Sequence, residues 1–189
     1  MIRKYLATSL VFIASSLALT GCITVNNAGT DHGGMMHGSS EFNGSEVMFA
    51  QMMIPHHEQA VLISTWAETR AASPEVKDLA LQIKGAQAPE IEQMKTWLPN
   101  GYDPASGNHG MEMSGMLDAE ALAELEAANG YEFDVLFLHG MIAHHEGAIE
   151  MTSMLNSSTN TEAKALREAI VENQSAEIGY MKELLTSLN

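Results

Sequence analysis

The sequence predicts an all-α protein, an antiparallel four-helix bundle built from a duplicated helical hairpin. Three observations lead to this fold class. Apolar residues recur at the 3.6-residue period of amphipathic helices, two blocks of sequence occur twice at nearly equal spacing, and strand signals are absent. Four long amphipathic helices joined as two hairpins bury their apolar stripes most completely in a bundle.

Composition narrows the function before any motif is considered. The 189 residues include 24 acidic and 9 basic side chains, 8 His, 14 Met and a single Cys. A formal net charge of −15 excludes a nucleic-acid partner, because phosphate binding requires a basic surface, and it suits a protein that attracts cations. One Cys excludes an internal disulfide and any multi-cysteine metal site. Methionine, normally a minor packing residue, outnumbers Phe, Tyr and Trp together.

Residues 1–21 predict a lipoprotein signal peptide. Arg3 and Lys4 precede an apolar stretch over residues 6–19, which is too short to span a membrane. The following Leu-Thr-Gly-Cys, ending at Cys22, resembles the lipobox of bacterial lipoproteins. We therefore expect Cys22 to carry a lipid anchor on the extracytoplasmic side of the cell envelope, in the periplasm or on the outer face of the membrane. The alternative is an ordinary signal peptide with a stray cysteine.

The rest of the chain divides into a tether and two repeats. Residues 22–44 are rich in Gly, Ser, Asn and Thr and predict a flexible tether. The bundle occupies residues 45–189, with repeat one at 45–98, a linker at 99–116 and repeat two at 117–188. Two blocks match at offsets of 88 and 87 residues, with these identical pairs: Phe49/Phe137, Met53/Met141, Ile54/Ile142, His56/His144, His57/His145, Glu58/Glu146, Ala60/Ala148, Gln87/Gln174, Glu90/Glu177, Ile91/Ile178, Met94/Met181, Lys95/Lys182 and Leu98/Leu185.

Each predicted helix follows from its apolar stripe and its start signal. The first helix covers residues 45–69, and its twin covers residues 131–155 with the same stripe. The second helix begins at Ser73, a capping residue followed by proline at the first helical position. A Gly/Pro/Asn-rich linker precedes a short extra helix at 118–129, and the fourth long helix begins near Thr161.

Paired histidines on the first helix of each repeat indicate a metal site. Adjacent residues point about 100° apart on a helix, so the two rings diverge, but Met53 lies three and four residues before His56 and His57 and neighbours both. Thioether sulfur selects soft ions, above all Cu(I), whereas imidazole accepts Cu, Zn, Fe and Ni. The combination favours copper, with Cu(I) preferred and Cu(II) also accepted. The second repeat carries the same set in Met141, His144 and His145.

The second helix of each repeat adds a carboxylate and another sulfur. Glu90 lies in an otherwise apolar stripe, and a buried carboxylate needs a partner. Counting from the hairpin turn places it near Met53, so it is either an acceptor for a ring N–H or a direct ligand. Met94 is a candidate second sulfur, and Glu177 and Met181 repeat the arrangement. The alternative for each methionine taken singly is core packing.

The linker contains a further methionine cluster. His109, Met111 and Met113 lie in a Gly-containing segment of the kind that handles copper in the bacterial periplasm. We expect the three methionines of this segment, Met111, Met113 and Met116, to be exposed, and His109, Met111 and Met113 to bind metal. The alternative is a polar loop.

Together these motifs resemble the signature of the domain-of-unknown-function 305 family, which includes CopM-type periplasmic copper-binding proteins. The resemblance covers residues 45–188 in two copies, through Met53–Ala60, Met141–Ala148 and the pattern Gln87, Glu90, Met94. It implies a ferritin-like bundle, an extracytoplasmic location and binding of Cu(I) or Cu(II) by Met and His, but no reaction. Met52 is replaced by Gly140 in the second copy, so a site that used Met52 would not be duplicated.

Three functions compete on this reading. The first is a lipid-anchored copper sequestration or delivery protein, whose partners are metal ions, the membrane and a copper-transfer protein. The second is a ferritin-like metallo-oxidase. The third is a helical interaction module without metal. Di-iron bundles need Glu-x-x-His, but methionine stands three residues before His56 and His144, so we expect no enzyme. Histidine ligation predicts that affinity falls as the pH drops through about 6.5.

Overall fold

The computed structural model describes residues 42, 44–99 and 113–188. Within them the chain is helical without a strand, which confirms the predicted all-α bundle. The helices are α1 (Gly44–Arg70), α2 (Pro74–Lys95), α3 (Ala119–Ala127), α4 (Tyr131–Met151) and α5 (Thr161–Leu188), with a 3-10 turn at Thr152–Leu155. No helix of this part combines the length and the apolar character required to cross a membrane. The predicted signal peptide, Cys22, His109 and Met111 lie outside the described residues.

Three of the five helices begin at a capping side chain. Ser73 caps α2 by accepting a hydrogen bond from the N–H of Val76 (3.2 Å), and proline follows at the first helical position. Asp118 caps α3 through the N–H of Ala121 (2.8 Å). The Asn160 side chain accepts from the N–H of Glu162 at the start of α5 (2.8 Å). The capping residues explain why the elements begin where the sequence predicts them.

The two hairpins pack through their first helices. Helix α1 packs along α2, α4 packs along α5, and α1 packs against α4. At one end, the N–H of Gly130 donates to the carbonyl of Arg70 (2.7 Å), so the start of α4 meets the end of α1. These two helices are therefore antiparallel.

Two buried carboxylates tie each repeat to the turn of the other. Asp134, on α4, accepts hydrogen bonds from the backbone N–H groups of Ala72 (3.0 Å) and Ser73 (2.9 Å). Glu46, on α1, accepts from the hydroxyl of Ser158 between α4 and α5. Both carboxylates are 1% exposed. They are 88 residues apart, the same offset as the repeated histidines, so the contact is made once in each direction.

The interior contains two apolar clusters, and every long helix contributes to both. The first core takes the C-terminal part of α1 and α5 and the N-terminal part of α2 and α4, and includes Ile63, Leu79, Ile83, Phe137, Met141 and Met181. The second core is formed by the N-terminal part of α1 and α5 and the C-terminal part of α2 and α4, and includes Phe49, Met53, Ile91, Met94, Trp97 and Ile170. Each helix therefore passes from one core to the other near its middle.

A short segment, residues 113–117, crosses the bundle and is called the strap below. The side chain of Gln59 donates to the carbonyl of Leu117 (2.9 Å) and accepts from its N–H (2.8 Å). The hydroxyl of Ser114 donates to Glu150 (2.8 Å). The strap is thus held by both α1 and α4.

Glycines on α4 allow the strap to lie close to the helix. A Cβ at Gly147 would fall 1.9 Å from the carbonyl oxygen of Ser114, and one at Gly140 would fall 3.1 Å from the side chain of Leu117. In repeat one these positions are Gln59 and Met52. The departure at Met52 seen in the sequence therefore has a packing cause, because the second copy makes room for the strap.

Candidate metal centre

A buried polar layer separates the two cores. On α1 and α4 the paired histidines lie between residues of the second and first core, and on α2 and α5 a glutamine and a glutamate do the same. All four histidines are fully buried, including His57, which the sequence placed on the flank of its helix. The polar layer consists of His56, His57, Gln87, Glu90, His144, His145, Gln174 and Glu177.

The outer histidine of each repeat is bonded to the glutamate of the partner helix. His57 Nε2 lies 2.9 Å from Glu90 Oε2, and His145 Nε2 lies 2.6 Å from Glu177 Oε2. The Glu90 and Glu177 side chains are 15% and 19% exposed, so they connect the layer to solvent. Each glutamate occupies the acceptor position that the sequence allowed, and the ring's Nδ1 is left for another partner.

The inner histidines meet between the repeats. The rings of His56 and His144 have centroids 3.7 Å apart and are tilted by 37°. His56 Nε2 donates to the strap carbonyl of Ser114 (3.1 Å), and His144 Nε2 donates to the backbone carbonyl of His56 (2.9 Å). Carbonyl oxygens only accept hydrogen bonds, so both rings carry their proton on Nε2 and a lone pair on Nδ1 when neutral.

Burial keeps the inner rings neutral. Desolvation, followed by the neighbouring His57, lowers the pKa of His56 from 6.5 to about 3. Desolvation, followed by His56 and the outer histidines, holds the pKa of His144 well below its ordinary value. The sequence alone predicted that protons compete with metal for the histidines near pH 6.5. Because the pKa values of His56 and His144 are lowered, these two rings stay neutral, and keep a lone pair, at lower pH.

The same pKa shifts predict that the metal-free bundle is sensitive to acid. Below pH 6.5 the unfolded chain protonates these two histidines while the folded chain does not, so stability is lost as the pH falls towards 3. Each such histidine contributes about 1.4 kcal/mol per pH unit within its window. Urea unfolding at pH 7 and pH 5 measures the loss. A His56→Leu/His144→Leu variant should lose less stability over this range, and His139→Leu, which changes an exposed histidine, should behave like the parent chain.

Most buried polar atoms without a protein partner lie in this layer. Of nine such side-chain atoms among the described residues, seven belong to it: Nδ1 of all four histidines, Oε1 and Nε2 of Gln87, and Oε1 of Gln174. His56 and His144 each carry a lone pair on Nδ1, and the amide oxygens of Gln87 and Gln174 are also acceptors, whereas the Gln87 Nε2 is a donor. Buried acceptors without a donor are satisfied by a cation or bound water rather than by an anion.

Methionine sulfur borders the layer on both sides. Met53 and Met94 belong to the second core, Met141 and Met181 belong to the first, and all four are fully buried. Met53 and Met141 lie one helical turn from their histidines, where side chains are neighbours. In the described part of the chain no three His, Cys, Asp or Glu side chains form a group that could hold a metal ion. These four methionines are sulfur-bearing side chains buried on either side of the layer.

The remaining predicted ligands are not brought to the layer. Met113 lies in the strap, half-buried against the second core rather than exposed. His109 and Met111 fall outside the described residues. No metal role was predicted for the amides of Gln87 and Gln174, although both recur at the repeat offset, and the hydrogen bond between the strap and His56 was not predicted.

Comparisons with known proteins find a matching family and similar solved structures. A family model described as domain of unknown function (DUF305) matches residues 46–185. The chain is similar to the crystal structure of a DUF305 protein from Streptomyces coelicolor described as secreted, with 31% identity, a TM-score of 0.68, and coverage of 76% of this chain and 93% of that one. No curated protein matches the chain significantly.

Structures of CopM are also similar. The Cu(II)-bound form shares 33% identity with a TM-score of 0.66, and the match covers 76% of this chain and 97% of CopM. The Cu(I)-bound form shares 34% identity with a TM-score of 0.61, over 75% of this chain and 96% of CopM. The similarity therefore extends over nearly the whole of these structures.

Proposed function

This chain belongs to the DUF305 family, and from that premise we propose that it is an extracytoplasmic copper-binding protein that sequesters or delivers copper. The observation that carries the proposal is the polar layer, where buried acceptor atoms without a protein partner lie between two pairs of buried methionines. Lone pairs without donors fit a cation, and the thioethers on either side fit a soft one.

The ligands of the proposed site are nitrogen and sulfur, which distinguishes copper from harder metals. Each outer histidine offers Nδ1 while a glutamate accepts from its Nε2, an arrangement that orients the ring for a metal and raises its basicity. Glu90 and Glu177 are thus occupied as orienting groups. Iron sites of the di-iron type use such carboxylates as direct ligands, so we propose metal binding without catalysis.

The location of the protein is part of the same proposal. CopM is copper-bound in two of the similar structures, and the relative from Streptomyces coelicolor is described as secreted. The position of Cys22 after an apolar leader supports a lipid anchor on the extracytoplasmic side of the membrane. The partly exposed glutamates give an ion a route between the layer and solvent, as exchange with a copper-transfer partner requires.

Methionine substitution tests the proposal. Met53→Leu/Met141→Leu conserves volume, so the bundle should fold, but each repeat loses the sulfur beside its histidines. We expect Cu(I) affinity, measured by competition with a colorimetric chelator, to fall by about 10–100-fold or more. The parent chain and all variants carry Cys22→Ser in this assay, so that the cysteine thiol does not compete for Cu(I).

Met48→Leu is the matched control, because Met48 lies on the same helix and is 51% exposed. This variant should bind Cu(I) as the parent does. The proposal fails if the parent chain binds no Cu(I), or if the copper-loaded chain turns over O2 or peroxide with many cycles per chain, which would make it an oxidase.

A further inference from the structure

We infer that Gln87 and Gln174 are oxygen ligands that allow the polar layer to hold Cu(II) as well as Cu(I). This inference rests on the proposed function, since it concerns the same site. It assigns to two amides a role that the histidines and methionines do not fill.

The side-chain amides of Gln87 and Gln174 are buried, and their oxygens accept no hydrogen bond from the protein. Gln87 is 2% exposed and neither of its amide atoms has a protein partner, and Gln174 is 3% exposed with its oxygen unpartnered. A buried amide in this condition destabilises the metal-free fold. Gln59 shows the ordinary alternative, because its amide is also buried but both of its polar atoms bond to the strap.

Position is the second observation. Gln87 lies three residues before Glu90 on α2, so the two side chains lie on one face of the helix. Glu90 bonds to His57, and α2 leaves the first core at Ile83 and enters the second at Ile91, with Gln87 between them. On α5, Gln174 precedes Glu177 by the same three residues. Both amides therefore belong to the layer that holds the histidines.

The chemistry of the amide oxygen explains why we assign the two glutamines to Cu(II). An amide carbonyl is a neutral, hard oxygen donor, whereas the methionine thioethers are soft. Cu(II) prefers nitrogen and oxygen in tetragonal arrangements, and Cu(I) prefers sulfur and nitrogen. The glutamines lie in the polar layer and the methionines border it, so both donor types are close in the fold to the histidines, and the oxidation state of the ion would select which donors it uses. The glutamines then set the preference for Cu(II), and the methionines set the preference for Cu(I).

The test compares two ions in one variant. Gln87→Leu/Gln174→Leu should lower the affinity for Cu(II) by about 10–100-fold, on the scale seen when a metal site loses a supporting group, while leaving the affinity for Ag(I), a redox-inert soft ion, unchanged. Calorimetric titration of each ion gives the affinities. Electron paramagnetic resonance of the Cu(II) form should show altered hyperfine splitting. The melting temperature of the metal-free variant should rise, because the unpartnered amide of Gln87 and the unpartnered amide oxygen of Gln174 are removed.

Ser64→Ala is the matched control, since its buried hydroxyl also lacks a partner but lies two turns from His57. It should raise the melting temperature of the metal-free chain without changing either affinity. Unchanged Cu(II) binding in the glutamine variant, or equal loss of both ions, overturns the inference and leaves the proposed function standing. If the parent chain binds neither ion, the proposed function itself is wrong.

Discussion

Replacing His57 and His145 together by leucine is expected to abolish Cu(I) binding at the bundle while leaving its helices intact. Each ring is fully buried, is oriented by a glutamate, and offers Nδ1 to the layer. Removing both takes one nitrogen ligand from each repeat, so the loss should exceed the roughly 10–100-fold effect of losing an outer-shell partner. Chelator competition measures the affinity, and far-UV circular dichroism checks the fold.

Controls separate ligation from a change in folding. His139→Leu alters a histidine of α4 that is exposed and should leave Cu(I) affinity unchanged. His56→Leu/His144→Leu should also lose copper and, in addition, resist acid better than the parent chain. If both double histidine variants kept full Cu(I) affinity, imidazole would not be a ligand, and the methionines alone would form the site.

Asp134→Ala is expected to destabilise the bundle by about 3 kcal/mol or more. The carboxylate is buried and accepts two backbone hydrogen bonds at the turn before α2, and bonds to a charged group contribute about 1.5–3 kcal/mol each. The substitution leaves the N–H groups of Ala72 and Ser73 without their acceptor. Urea unfolding at pH 7 should show a lower midpoint with the same slope.

Glu132→Ala provides the comparison, because this exposed carboxylate lies in the same first turn of α4 and carries the same formal charge. Its effect should stay within about 0.5 kcal/mol, as for surface positions in general. Equal destabilisation by the two variants would mean that helix charge, and not the hydrogen bonds of Asp134, sets the stability.

Sequence patterns were sufficient for the helices and for part of the site. The 3.6-residue stripe, the cap at Ser73 and the offset of 88 residues are local or periodic signals, and they predicted an all-α bundle of two hairpins. Counting residues from the hairpin turn also placed Glu90 near the level of Met53, and the structure shows its bond to His57. That estimate worked because a short turn fixes the height of two antiparallel helices.

Other features depend on contacts between distant segments and could not be predicted from periodicity. The strap bonds to His56 across 58 residues, and its path is marked in the sequence by Gly140 and Gly147, which stand where repeat one has Met52 and Gln59. No local pattern predicted the full burial of His57 either. This residue lies on the flank of the apolar stripe of α1, where α2 covers it. The pKa of His56 is lowered because the surrounding segments bury its ring, and the residue type alone does not indicate this burial.

The exchanged carboxylates have a consequence for how the two halves relate. When Glu46 binds the turn of repeat two and Asp134 binds the turn of repeat one, the exchange follows the pattern of the isologous contacts in two-fold dimers of identical subunits, although Glu46 accepts from a hydroxyl and Asp134 from two backbone N–H groups. One chain thus reproduces the geometry of a dimer of hairpins. Covalent fusion adds an asymmetry that such a dimer cannot have, because a single strap accepts a hydrogen bond from the ring of His56, whereas the ring of His144 donates to the backbone of α1.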